Sequence, residues 1–144
     1  MQSTVASMIL HRRIEEVWPI IGRFHALATW HPAVEYSGFD EGSSENTVGC
    51  IRNVRLSNGS TGKEKLVKKD DKNHTLTYSF EIPPLPVENY LSTIQLLPTT
   101  DIEYTHMIWT GSYTCEESLV DEMHHLLKNG VYLAGMHALA TFNV

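Results

Sequence analysis

The sequence predicts an α+β domain in which a curved antiparallel sheet of about six or seven strands wraps around one long C-terminal helix. Alternation of apolar and polar residues sets in after His31-Pro32 and persists for about eighty residues, interrupted only by turn chemistry. An apolar stripe at helical spacing then occupies the C-terminal end. A sheet with a single long helix to pack against must curl around it, and the curl leaves a cavity at one end.

The elements follow in order. Thr4 to Leu10 suits a first strand, and Ile14, Val17, Trp18, Ile21 and Phe24 mark one face of a helix from Arg13 to Phe24. Pro19 lies inside that helix and predicts a kink or two short helices. Strands are expected at 33–40, 47–56, 60–68, 75–82, 88–97 and 102–114. Ser57-Asn58-Gly59 suits a three-residue hairpin loop with glycine in the left-handed position, Asp70 to Asn73 a longer loop, and Pro98 to Asp101 a tight reversal. Val120, Met123, Leu127, Val131, Ala134 and Ala138 form the stripe of a helix over 117–142, long enough to cross the sheet.

Composition narrows the function. The chain of 144 residues is one domain in size, 1–144, with 42% hydrophobic and 19% charged residues, a balance that fits neither disorder nor a membrane protein. No apolar run reaches the length of a membrane span. A net charge of −6, with only short basic clusters, argues against nucleic acid as a partner. In MQSTVASMILHRR the basic residues follow the apolar stretch, the reverse of a secretory signal, which predicts a cytoplasmic protein. Cys50 and Cys115 read as reduced thiols, and the Lys63 to Lys72 stretch as a solvated edge strand. No phosphate-cradling glycine loop, dinucleotide fingerprint or Ser-His-Asp arrangement is present, so no cofactor is expected. Asp121, His124 and His125 give only one i,i+4 pair, too few ligands for a metal. A homodimer is allowed by the sequence but not required by it.

Parity along each strand sorts the side chains. Val48, Cys50, Arg52, Val54 and Leu56 form the inner set of 47–56, and Glu64 shares a face with Leu66 in the next strand. A 57–59 loop pairs residue 56 with 60, and counting back sets Arg52 opposite Glu64. Opposite charges there stabilise each other on an apolar face, as a structural ion pair or as part of a site. Leu76, Tyr78, Phe80 and Ile82 point inward, as do Tyr90, Ser92, Ile94 and Leu96. Pattern alone leaves open whether Tyr104/His106/Ile108 or Met107/Trp109/Gly111 face inward in 102–114.

The string VGCIRNVRL, then GKEKL, an acidic loop ending in His74, and VENYLST resemble the START-like (helix-grip, Bet v 1-like) polyketide cyclase/dehydrase family and, more loosely, the abscisic acid receptors. The likeness extends from VWPIIGRF to the closing helix. It implies a hydrophobic small-molecule pocket lined at Arg52, Glu64, Tyr78, Tyr90 and Ser92, with Trp109 and Gly111 facing inward. His31 stands where the receptors have the lysine that binds a carboxylate, Ser57 to Thr61 replace the receptor gate loop, and Pro83 to Pro86 replace its latch, so hormone-gated phosphatase binding is not implied. The expected ligand-binding set is Trp30, Tyr78, Phe80, Tyr90, Ser92 and Trp109, with catalysis by His31, Arg52 and Glu64.

With an enolisable polyketide-like substrate, Arg52, Tyr78 and Tyr90 could hydrogen-bond a developing enolate oxygen while His31 or Glu64 moves the proton, giving cyclisation or dehydration. His31 lies beside the proposed mouth, where an imidazole, ordinarily titrating near neutral pH, could act as acid or base, although a helix-terminal or surface histidine fits there too. The same side chains would also orient a ligand that never reacts, as in a carrier or sensor.

Overall fold

In the computed structural model, which describes residues 1–143, seven strands form one antiparallel sheet. They are β1 (Gln2–Leu10), β2 (Val34–Phe39), β3 (Ile51–Leu56), β4 (Thr61–Asp70), β5 (Thr75–Ile82), β6 (Glu88–Pro98) and β7 (Thr105–Thr114). Their order across the sheet is β1-β7-β6-β5-β4-β3-β2, so strands β2 to β7 form a meander and β1 closes against β7. The inner face buries Leu66, Leu76, Ile94, Leu96, Met107 and Trp109 against the helices.

Between β1 and β2 run α1 (Ile14–Gly22) and a 3-10 helix (Phe24–Thr29). Two helical pieces are present, as expected, but α1 passes through Pro19 and the break falls at Arg23. Pro19 is exposed, and Val17, Trp18, Ile20 and Ile21 are buried beside it.

Three expectations about the sheet need correction. The segment 47–50 is not part of β3: Gly49 has φ +96° and Val48, 61% exposed, turns outward, whereas Cys50 is buried with the inner set. Ile82 is also exposed, because the pairing Glu64↔Phe80 is followed by Lys63↔Ile82. Glu81 is the extra residue of a β-bulge, and a bulge swaps the faces beyond it. The lysine-rich β4 lies inside the sheet between β5 and β3, with Lys63 and Lys65 on its outer face near Asp40 and Glu81. The edges are β1 and β2.

The loop before β7 is longer than expected, running to Tyr104, and within β7 the buried set is Thr105, Met107, Trp109, Gly111 and Tyr113. The pattern left open in the sequence thus resolves to the Met107/Trp109/Gly111 alternative. The 57–59 loop forms as read: Leu56 N–H donates to Ser60 O at 2.8 Å, and Gly59 has φ +90°.

The C-terminal helix is composite. A 3-10 turn (Glu117–Leu119) leads into α2 (Val120–His125), an eight-residue π-helix (Leu126–Leu133) and α3 (Ala134–Leu139). The π segment advances the chain by an additional residue per turn relative to an α-helix. After Met123 and Leu127 the fully buried positions are therefore Tyr132, Gly135, Met136 and Leu139, whereas Val131, Ala134 and Ala138 are only partly buried. Uniform α spacing had projected those three onto the core; the shift brings Tyr132 in instead.

Candidate functional site

The sheet and the π segment enclose a cavity of about 260 Å³. It is slightly smaller than the ~300–1,000 Å³ typical of drug-sized ligand sites. Its walls are mostly apolar, including Leu27, Val34, Leu56, Leu85, Leu127 and Val131, and Ser57, Asn58 and Pro84 bring the 57–59 and 83–87 loops to it. Of the residues singled out in the sequence, His31, Arg52, Glu64, Tyr78, Phe80, Tyr90 and Trp109 all line this space. Trp30 and Ser92 do not, although both are buried. Trp30 packs behind the wall, 6.3 Å between ring centroids from Trp109, and the Ser92 hydroxyl donates to Thr110 O at 2.7 Å while accepting from Trp109 Nε1 at 3.0 Å. Ser92 thereby fixes the orientation of the Trp109 indole.

Arg52 and Glu64 are direct cross-strand partners, and both are buried. Arg52 Nε and Nη2 donate to the same oxygen, Glu64 Oε1, at 2.8 and 2.5 Å. Its Nη1 donates to Phe24 O at 2.8 Å, and the guanidinium lies 3.7 Å from the Phe24 ring centre, so it is held by a cation–π contact as well. Every nitrogen of Arg52 is thus engaged. Glu64 Oε2 makes no hydrogen bond, yet no buried side-chain oxygen or nitrogen among the described residues lacks a partner. Since Glu64 lines the cavity, Oε2 is the oxygen that opens into it.

Beside the ion pair stands a row of tyrosines. Tyr90 OH lies 2.6 Å from Tyr132 OH and 3.5 Å from Tyr78 OH, and the Phe80 ring stacks on Tyr90 at 4.0 Å. Burial raises the pKa of all three phenols; the nearby Glu64 charge adds to the effect at Tyr78, and the Tyr78 neighbour adds to it at Tyr90 and Tyr132. They are hydrogen-bonding hydroxyls, not phenolates, at neutral pH. Tyr132 escaped sequence reasoning because the π segment moved it onto the inner face. The visible signal was Asn129-Gly130, two poor helix formers in the middle of the stripe.

His31 is fully committed to backbone. Its Nε2 donates to Val131 O at 2.7 Å, and its Nδ1 accepts from Ala33 N–H at 3.1 Å. Burial is the main cause that pushes its pKa down to about 4, with the Arg52 charge acting in the same direction and the Val131 bond opposing. The imidazole is neutral at pH 7 and ties the start of β2 to the π segment.

No helix among the described residues is long and apolar enough to cross a membrane, and no group of three metal-ligating side chains is found among them. Two solved structures are similar in sequence as well as shape. An uncharacterised protein from Bacillus thuringiensis is 34% identical with a TM-score of 0.84, covering 96% of this chain and 96% of that one. The protein XoxI from Bacillus cereus is 36% identical, also at 0.84, covering 97% and 94%. The Zhui aromatase/cyclase from a Streptomyces species shares the fold at a TM-score of 0.80 over 96% and 91% of the chains, with only 11% identity. The family model for polyketide cyclase / dehydrase and lipid transport matches residues 1–141, and the chain belongs to that family.

Proposed function

We propose that the protein binds a small aromatic or polyketide-like molecule in its internal cavity and acts on it by acid/base chemistry, promoting cyclisation or dehydration. The observation that carries this reading is one polar cluster, Arg52–Glu64 with Tyr78 and Tyr90, set in an otherwise largely apolar cavity. A site of that composition buries a flat ligand and fixes its orientation through few polar contacts.

The roles follow from the geometry. Glu64 Oε2 is the group placed to take a proton from an acidic C–H or O–H, because Oε1 is occupied by Arg52. Tyr78 and Tyr90 supply O–H donors for an oxygen that gains negative charge as the proton leaves. His31, with both nitrogens bound to backbone, is a positioning residue in this scheme rather than the proton carrier.

The commitment of His31 favours a second reading, a non-catalytic carrier or sensor using the same cavity, because it leaves Glu64 without a titratable histidine as a partner. Native mass spectrometry after incubation with a metabolite extract tests for binding, and recovery of the released compound shows whether it has been altered. A ligand returned unchanged after prolonged incubation favours the carrier. A protein that retains nothing from the extract overturns both readings.

A further inference from the structure

Within the ligand-binding reading, on which this inference rests, the charge arrangement of the cavity defines what kind of ligand it takes. Three observations bear on it. Arg52 is the one cationic side chain among the lining residues, and its three nitrogens already donate to Glu64 Oε1 and Phe24 O. His31, the other nitrogen base on the wall, donates to one backbone carbonyl and accepts from one backbone N–H, so it offers an incoming ligand neither a charge nor a free nitrogen. Glu64 Oε2 is the polar atom of the ion pair left open to the cavity, and it is an acceptor.

A carboxylate ligand entering this space meets a guanidinium whose charge Glu64 already offsets and whose three nitrogens are each tied to a protein acceptor. It would have to lose its hydration shell beside another carboxylate oxygen, an arrangement costly in a low-dielectric cavity. A neutral ligand with an O–H donor meets the opposite situation: Oε2 accepts its hydrogen bond, and a hydrogen bond to a charged group is stronger than one between neutral groups. The stacked Phe80 and Tyr90 rings and the Trp109 indole provide aromatic surface for a planar ligand body.

We infer that the cavity selects neutral hydroxyaryl ligands, with the ligand hydroxyl donating to Glu64 Oε2, and rejects carboxylates of the same shape. The site thus differs in kind from one that anchors an acid through a lysine. Replacing Glu64 by Gln removes the charged acceptor and leaves the Arg52 guanidinium without its counter-charge, so Glu64→Gln should turn the same cavity toward anions.

The test uses three probes with one ring system: naphthol, its methyl ether, and naphthoate, titrated calorimetrically into the wild-type protein at pH 7. Naphthol should bind at least about tenfold more tightly than either of the others, the size expected when one charge-assisted hydrogen bond is gained or lost. Glu64→Gln, checked by circular dichroism, should lose the preference and bind naphthoate more tightly than the wild type does. Equal binding of naphthol and its ether removes the donor requirement, and naphthoate binding as tightly as naphthol removes the charge selection. Either result overturns this inference while leaving cavity binding intact. Failure of all three probes to bind overturns the ligand-binding reading, and this inference with it.

Discussion

Arg52 and Glu64 face each other across β3 and β4, and the arginine grips a single carboxylate oxygen with two nitrogens while its third holds Phe24 O. Both side chains are buried, with exposures of 6% and 8%. Breaking a buried pair from one side leaves an uncompensated charge, which typically costs several kcal/mol, whereas replacing both partners by apolar residues is often close to neutral.

Arg52→Met alone should therefore lower stability by about 3 kcal/mol, and Arg52→Met/Glu64→Leu should recover most of that loss. Urea denaturation of the wild type, both single variants and the double variant closes the cycle. If the pair serves the site, the double variant folds yet loses ligand affinity or turnover. Single variants as stable as the wild type would mean that the pair is solvated.

The ion pair was legible because three local rules met: strand parity, hairpin loop length and the need of a buried charge for a partner. The turn order and inner faces of β5 and β6 were readable for the same reason, since alternation is strict wherever one face is buried. Apart from the place of β4 in the strand order, what failed depended on an irregularity. The bulge at Glu81 reversed Ile82, the left-handed Gly49 turned Val48 outward, and the π segment put Tyr132 into the core while leaving Val131 half-buried on the cavity wall. The bulge and the π turn each add one residue to a regular repeat and the Gly49 turn ends one early, and a repeat read from the sequence registers neither. The fates of Trp30 and Ser92 show a related limit: parity tells which residues are inside, not which of them reach the open space.

His31 makes stability depend on acidity. The unfolded chain binds a proton on this ring near pH 6.5, but the folded protein resists it down to about pH 4. Between those values the unfolded state holds more protons, so stability falls as pH falls, being complete above 6.5 and lost by about 4. The loss is on the order of 3 kcal/mol. His31→Asn removes the titration, and its stability should decline less steeply over that range than that of the wild type. Parallel curves for the two proteins would show that the ring is protonated without penalty.

Gly111 and Tyr132 should be coupled. A β-carbon at position 111 would collide with the Tyr132 hydroxyl and press on Tyr90 at 3.2 Å. Gly111→Ala is then an overpacking change costing about 1–3 kcal/mol. Tyr132→Phe deletes the colliding oxygen, leaving the nearest ring carbon at 3.3 Å from the new methyl. The double variant should be more stable than the sum of the single effects predicts, by at least ~0.5 kcal/mol, and thermal melts of all four proteins measure it. Strict additivity would mean that Tyr132 does not occupy the space opposite Gly111.

The last expectation concerns the π segment itself. Leu127 and Tyr132 are five residues apart on the buried face, where an α-helix would space inward residues three or four apart. Lys128 is exposed and lies between them, so deleting it brings the spacing to four without removing any buried side chain. The shortened helix can then run as a regular α-helix with Met123, Leu127, Tyr132, Met136 and Leu139 still facing the sheet. It would regain the i→i−4 bonds of an ordinary α-helix in place of a π turn, which is rare in proteins and frequent at functional sites. The cavity, however, is lined by Gly130 and Val131 of the wide turn, and Val131 O is the acceptor that holds His31. Deletion of Lys128 should accordingly leave the melting temperature unchanged or raised while weakening naphthol binding about tenfold or more. A variant that melts lower and binds as before would show that the π turn supports the fold and contributes nothing to the cavity.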